Sequence, residues 1–343
     1  MKFNIRSKLK KYNVEFINSF KKKIISYQED KLFIIDNNVY NIFFKNKIKI
    51  DKFVLVHSSE NNKSFDNIAK VIRKISKNKI NKKTKIIAIG GGVVQDITGF
   101  ICSIYFRGVN WDFFPTTLLA QGDSCIGGKT SINFEEFKNQ LGNFYPPSNI
   151  YIDTGFLDKL KKEDMQSGLG EMAHLLAVSS YSKFKILDKY FQKKIKLKHV
   201  IINSLKSKKF YIELDEFDNK ERKLLNFGHT FGHAIENATN YKIPHGICVA
   251  YGCLMAFWLS NKMNYLSNKN YFKYRKILDL IINKKIYFNI TKFKNAILKD
   301  KKMYKNKISF ILSQECGKMF LKEMKIDKKF INHIKEFNNT IKW

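Results

Sequence analysis

The chain has 343 residues, 44% of them hydrophobic, four prolines and a formal net charge of +33. That length suggests two domains, and the apolar share is enough for folded cores without long disordered linkers. The lysines are spread along the whole chain among Asn, Ile, Phe and Tyr, with no DNA-reading basic helix and no RNP-like or zinc-finger signature, so no nucleic-acid partner is expected and the charge serves to attract anionic substrates.

In chain order, the first residues are basic but lack the apolar region and small-residue cleavage site of a secretory signal. KLFIID (31–36), KFVLVHS (52–58) and TKIIAIGGG (84–92) are short apolar runs ending in polar or glycine-rich turns, the pattern of buried parallel strands. SFDNIAKVIRKISKN (64–78) between them carries apolar residues at helical spacing. Such alternation predicts an α/β sheet with ligands at the carboxyl ends of its strands. IIAIGGGVVQDITGF (86–100) is then strand, glycine turn and helix start. Its spacing is GGGxxxD rather than GxGxxG, so it reads either as a tight turn or as a pyrophosphate site at a helix N-terminus.

GDSCIGGKT (122–130) ends like a phosphate-binding P-loop, but the glycine that loop requires falls on Asp123. A carboxylate inside an anion cradle repels the phosphates, so the nucleotide-triphosphatase reading fails. After Pro146-Pro147 the texture changes: a last strand-like piece, NIYIDT (149–154), leads into helical patterns from Leu157 to the end. The expected architecture is α/β, with an N-terminal α/β domain over 1–155 and a mainly α-helical domain over 156–343. The longest apolar run, Ile247 to Leu259, contains glycine and is too short for a bilayer, so no membrane partner is expected. The five cysteines form no Cys-x-x-Cys pair and fit a reducing cytoplasm.

LLNFGHTFGHAIE (224–236) places His229 and His233 on one helix face, and His245 opens the next helix at Pro-His-Gly. Glu171, in SGLGEMAHLLAV (167–178), lies on an apolar helical stretch where a lone carboxylate is costly unless paired or metal-bound. Two imidazoles and a carboxylate suit a divalent metal with open positions for substrate.

Together these stretches resemble the 3-dehydroquinate synthases, sugar phosphate cyclases of the shikimate pathway. ENNKS, GGGVVQDITGF, FRG, PTTLLAQGDSCIGGKTSIN, KNQLGNFY, SGLGE, LDE, RKLLNFGHTFGHAIE, HGICVAYG and DKK occur in that family's order and spacing. The resemblance implies a Rossmann-like NAD-binding domain, a metal- and substrate-binding helical domain, and an active site in the cleft between them. It places zinc, or cobalt, on Glu171, His229 and His245. It places NAD on Asp36, Asn38, Glu60, Lys63, Gly91, Gly92, Val93, Val94, Asp96, Thr116 and Thr117. Substrate falls to Asp123, Lys129, Lys138, Asn139, Lys208, Arg222, Asn226, His233 and Lys302, with Lys301 close enough to compete. Arg107 would reach the neighbouring site of a homodimer.

The substrate so implied is 3-deoxy-D-arabino-heptulosonate 7-phosphate. Its hydroxyl-bearing carbon gives hydride to NAD, phosphate leaves, hydride returns, and an internal aldol reaction closes the carbocycle. Three positions depart from the family pattern. His174 replaces a lysine, Gln95 a glycine of the turn, and Phe137 a glycine before Lys138. His174 is either tolerated, or marks a different sugar phosphate, or adds a metal ligand, for which helix spacing is the only sequence support. Gln95 puts a side chain near the expected pyrophosphate, and Phe137 bears on the Lys138 loop. A fold-related metal-dependent alcohol or glycerol phosphate dehydrogenase is the alternative, distinguished by net release of NADH.

Overall fold

The computed structural model describes residues 1–135, 137–283, 285–299, 303–304 and 307–340. The chain divides into two compact units, Met1–Leu160 and Lys161–Trp343.

The first unit holds strands β1 (Lys2–Ile5), β2 (Tyr12–Phe16), β3 (Lys31–Asp36), β4 (Phe53–Val56), β5 (Lys85–Gly90), β6 (Trp111–Pro115), β7 (Lys129–Phe134), β8 (Phe137–Phe144) and β9 (Asn149–Ile152). Seven of them form one sheet, ordered β1-β2-β9-β6-β5-β3-β4. Its pairings are parallel except that of β1 with β2. The apolar runs at β3 and β5 are continuous because helices and loops cover both faces of a parallel sheet, and these strands, like β6 with its buried Asp112, are almost wholly buried. The helix Phe65–Ser76 buries Ile68, Val71 and Ile75, one stripe at helical spacing, and Ser64 caps its start by accepting from the Asn67 N–H. From β3 the chain passes to β4 on one side, then to β5 on the other. That reversal opens a crevice at the carboxyl ends of β3 and β5, where Asp36 and the glycine turn stand. Strands β7 and β8 make a separate antiparallel hairpin whose second strand is solvent-exposed.

The second unit is built on the helix His245–Lys262, buried from Gly246 to Ser260. A helix apolar all round belongs in the middle of a bundle. Helices Lys162–Ser179, Leu197–Leu214, His229–Ala238 and Asn268–Ile282 also belong to this unit. The expectation of helix to the chain's end is corrected by a three-stranded antiparallel sheet of β10 (Met303–Tyr304), β11 (Lys307–Glu315) and β12 (Lys318–Lys325). Its β11 carries a β-type burial pattern and docks on the central helix, the Ser313 N–H donating to Ser260 Oγ at 3.0 Å. Among the described residues no helix is long and apolar enough to cross a membrane.

Candidate active site

Glycine lets the helices of the second unit approach until their polar residues meet. Gly170 precedes Glu171, Gly228 precedes His229 and Gly246 follows His245. A Cβ on Gly246 would lie 1.8 Å from the Ser167 carbonyl oxygen, and one on Gly170 would lie 1.9 Å from the Gly246 oxygen. The Glu171 and His245 helices therefore touch backbone to backbone, next to both side chains. Gly228 adopts φ +81° to start the His229 helix, against Cys253, a conformation that penalises any Cβ.

The side chains converge on Glu171. His245 Nε2 stands 3.0 Å from Glu171 Oε1, and His229 Nε2 stands 3.8 Å from Oε2. Both rings are oriented through their other nitrogen. His229 Nδ1 faces the Phe227 carbonyl at 3.4 Å; a carbonyl only accepts, so Nδ1 carries the proton and Nε2 the lone pair. His245 Nδ1 faces Glu236 Oε2 at 3.1 Å, a carboxylate–histidine arrangement of the kind that orients metal ligands. Glu171 is 2% exposed, and its Oε1 accepts no hydrogen bond of good geometry despite the near imidazole. A buried carboxylate oxygen met by nitrogen lone pairs fits a divalent cation, so the donor set passes the test for zinc or cobalt.

His174 joins this group: its Nδ1 is 3.4 Å from Glu171 Oε2 and its ring is edge-on to His229 at 4.7 Å. Donor atoms of Glu171, His174 and His229 lie within 4.8 Å of one another, as do those of His233, Glu236 and His245. Without an ion, burial disfavours a charged Glu171, yet His245, then His229 and His174, hold its carboxyl well below the usual range. Burial takes His229 well below its ordinary value against the pull of Glu171. At His245 burial lowers the value, but Glu171 and Glu236 outweigh it and raise it.

Of the residues expected to face substrate, His233 is exposed one turn along from His229, with ring centroids 5.5 Å apart. Arg222 is buried at 4% exposure and its guanidinium donates to the Glu216 carbonyl. Its loop is held by Asp215, whose carboxylate accepts from the N–H groups of Asn219, Lys220 and Arg222 at 3.0, 2.6 and 3.1 Å. Asn226 donates to the Lys223 carbonyl and Lys208 is half-buried on the helix Leu197–Leu214. Lys302 and Lys301 lie outside the described residues.

In the first unit the glycine turn starts the helix Gly92–Ile104, with Gly91 at its N-cap and Val93 and Val94 in its first turn. Thr117 packs against Gly91, where a Cβ would come within 3.0 Å of its methyl, and the Thr116 N–H donates to the Gly90 carbonyl. Asp36 caps the turn after β3, its Oδ1 accepting from the Asn38 and Val39 N–H groups. Lys63 is buried and gathers several expected cofactor and substrate residues. Its Nζ donates to Asp96 Oδ2 and Asn139 Oδ1, both at 2.7 Å, and lies 3.6 Å from Glu60. Ser131 donates to the same Asp96. The Asp96 carboxyl is raised by burial, against the pull of Lys63. Gln95 is buried too, and its amide donates to the Ser124 carbonyl at 2.7 Å and accepts from Ser124 Oγ at 2.8 Å. The Gln95 side chain thus braces the segment carrying Asp123. Lys129 opens β7, exposed, while Phe137 and Lys138 start the exposed β8, so Phe137 takes solvent at no cost to the hairpin pairing. Arg107 is exposed at φ +60°.

Glu236, Asp215 and Ser124 were not singled out by sequence reasoning. Glu236 falls three residues after His233, on one helix face, which is the single sequence signal that points to it.

A model of the 3-dehydroquinate synthase N-terminal domain matches residues 53–167, and one of the C-terminal domain matches 168–303. The 3-dehydroquinate synthase of Dictyoglomus turgidum (strain DSM 6724 / Z-1310) is 36% identical over 339 residues, covering 95% of this chain and 96% of that protein. A 2-deoxy-scyllo-inosose synthase solved with carbaglucose-6-phosphate, NAD+ and Co2+ superposes with a TM-score of 0.83 at 20% identity, covering 97% and 98% of the two chains. ValA, a 2-epi-5-epi-valiolone synthase from Streptomyces hygroscopicus subsp. jinggangensis 5008 solved with NAD+ and Zn2+, gives 0.82 at 19% identity, covering 96% of each. These likenesses bear on the fold.

Proposed function

This chain belongs to the 3-dehydroquinate synthase family, and on that premise we propose that it converts 3-deoxy-D-arabino-heptulosonate 7-phosphate to 3-dehydroquinate and phosphate, using NAD and one divalent metal per chain. The observation that carries the reading is the convergence of His229 Nε2 and His245 Nε2 on the buried Glu171 carboxylate.

When bound, the metal polarises the reacting hydroxyl and the dinucleotide takes up and returns a hydride. The protein's part is to bind, orient and move protons. Glu171, His229 and His245 hold the metal, and the Phe227 carbonyl and Glu236 fix the ring orientation of the two histidines. His233, exposed beside these ligands, exchanges a proton with the substrate hydroxyl. Arg222, fixed by Asp215 and Glu216, and Lys208 suit a carboxylate. In the first unit the free N–H groups at the start of the Gly92–Ile104 helix and the crevice beside Asp36 suit the dinucleotide. Asp123 faces substrate hydroxyls, and the ammonium groups of Lys129 and Lys138 meet the phosphate-bearing anion. Arg107, exposed on its turn, completes the site of a second copy in a homodimer. The buried free cysteines suit a cytoplasmic protein.

The test is turnover of the zinc-loaded protein with NAD and 3-deoxy-D-arabino-heptulosonate 7-phosphate. Phosphate and 3-dehydroquinate form with no net NADH. Accumulating NADH would move the reading to a dehydrogenase. Absence of turnover with that substrate, alongside turnover of sedoheptulose 7-phosphate or glucose 6-phosphate, would move it to another cyclase.

A further inference from the structure

We propose that His174 is a further ligand of the metal, binding through Nδ1 beside Glu171, His229 and His245. The inference rests on the metal centre described above and extends it to the histidine that departs from the family pattern.

Three observations carry it. His174 lies one turn after Glu171 on the same buried helix, the Glu-x-x-His spacing with which helical bundles aim a carboxylate and an imidazole at one ion. Its Nδ1 stands 3.4 Å from Glu171 Oε2. For ligand bonds of about 2.0–2.1 Å, two ligand atoms of a tetrahedral ion are about 3.4 Å apart. Finally, His229 Nε2 is 3.8 Å from the same oxygen, and donor atoms of all three residues lie within 4.8 Å of one another. His174 and His229 thus stand on the Oε2 side of Glu171, while His245 meets Oε1.

The chemistry follows from the swap of charge. A lysine ammonium at this position would repel a dication and donate to substrate. An imidazole with a nitrogen lone pair attracts the dication instead. With His174 in place, an imidazole would join Glu171, His229 and His245 as a fourth side chain able to hold the ion. The ion is held more tightly, and a substrate contact is exchanged for metal retention.

The test uses Co2+ on the full-length, metal-stripped chain, without activity as a readout. Wild type binds one Co2+ with an intense visible absorption. His174→Gln weakens binding by about tenfold or more and changes that absorption, and His174→Lys weakens it further. Proton NMR of the wild-type Co2+ form needs no variant: it shows a hyperfine-shifted, exchangeable ring N–H for each of His174, His229 and His245. Equal affinity and an unchanged spectrum in His174→Gln, or ring signals from His229 and His245 alone, would overturn the inference and leave the metal centre standing. Failure of wild type to bind Co2+, with far-ultraviolet circular dichroism showing a folded chain, would overturn both.

Discussion

Glu236 Oε2 lies 3.1 Å from His245 Nδ1, while the Nε2 of the same ring lies 3.0 Å from Glu171 Oε1. One imidazole is thus gripped between two carboxylates, Glu236 on one ring nitrogen and the proposed co-ligand Glu171 on the other. Partners of this kind fix tautomer and basicity, and losing one costs about 10–100-fold in metal affinity. Glu236→Gln should lower Co2+ affinity by that amount and leave global stability nearly unchanged, because its side chain is 15% exposed rather than sealed in a core. Calorimetric titration of the stripped variant decides it; unchanged affinity would reduce Glu236 to a surface neighbour.

In the first unit Lys63 is the most committed charge. Its side chain is 5% exposed and spans Asp96 and Asn139, so it ties the helix after the glycine turn to the β8 strand. Removing one member of a buried pair strands the other, a loss of several kcal/mol when both are sealed. Asp96 keeps 22% side-chain exposure, so Lys63→Met should cost about 3 kcal/mol, the lower end of that range. Asp96→Asn in the Lys63→Met background should recover part of the loss. Urea unfolding of both single variants and the double variant measures the coupling; simple additivity would mean the pair is electrostatically idle.

Gln95 bears on the cofactor. A side chain in place of a turn glycine crowds a pyrophosphate only if it points at the turn, and here it is spent on Ser124 through two hydrogen bonds. Gln95→Gly should therefore leave NAD affinity within about threefold. It should instead destabilise the fold by about 2 kcal/mol, from two hydrogen bonds at about 1 kcal/mol each. A large gain in NAD affinity, measured by equilibrium binding, would show that the glutamine does obstruct the cofactor.

Much of this was legible because burial leaves a mark on residue type. β3 and β5 read as strands since both of their faces are covered, which demands unbroken apolar runs. Glu171 and the histidines stood out as polar groups at helical spacing in apolar sequence. The β12 strand, KMFLKEMK, did not, since Lys, Met, Leu and Glu are good helix formers and only pairing with β11 makes them extended. β2, YNVEF, joins the sheet by pairing with β9 across more than a hundred residues, which no local pattern encodes. Glu236 and Asp215 lie in the matching stretches GHAIE and LDE but carried no role there, because an acid at a helix end or in a loop looks like ordinary surface until its partner is seen.

The approach of the Glu171 and His245 helices depends on the absence of two side chains. At Gly246 the missing Cβ would sit 1.8 Å from the Ser167 carbonyl oxygen, and backbone cannot swing aside as a side chain would. Gly246→Ala should push the helices apart and cost about 3 kcal/mol, the upper end for overpacking. Because the displaced backbone carries Glu171 and His245, Co2+ affinity should fall with stability. A variant as stable as wild type by urea unfolding, with unaltered Co2+ binding, would contradict the close packing.

Asp215 is expected to act on the substrate through Arg222. Burial pushes its carboxyl up, but the N–H groups of Lys220, Asn219 and Arg222 outweigh this and hold it below its ordinary value. A depressed acid stabilises its loop fully above the ordinary aspartate value of 3.8, and the contribution is lost as pH falls through the depressed value. Amide exchange at Asn219, Lys220 and Arg222 should accordingly be slow at neutral pH and lose protection in acid before the helical core does. Asp215→Ala should abolish that protection at all pH. It should raise KM for 3-deoxy-D-arabino-heptulosonate 7-phosphate by about tenfold or more, because a displaced guanidinium no longer meets the carboxylate. The KM of Asp215→Ala for sedoheptulose 7-phosphate, which lacks that carboxylate, should change less. Equal rises for both substrates would place the effect in general loosening of the loop rather than in Arg222.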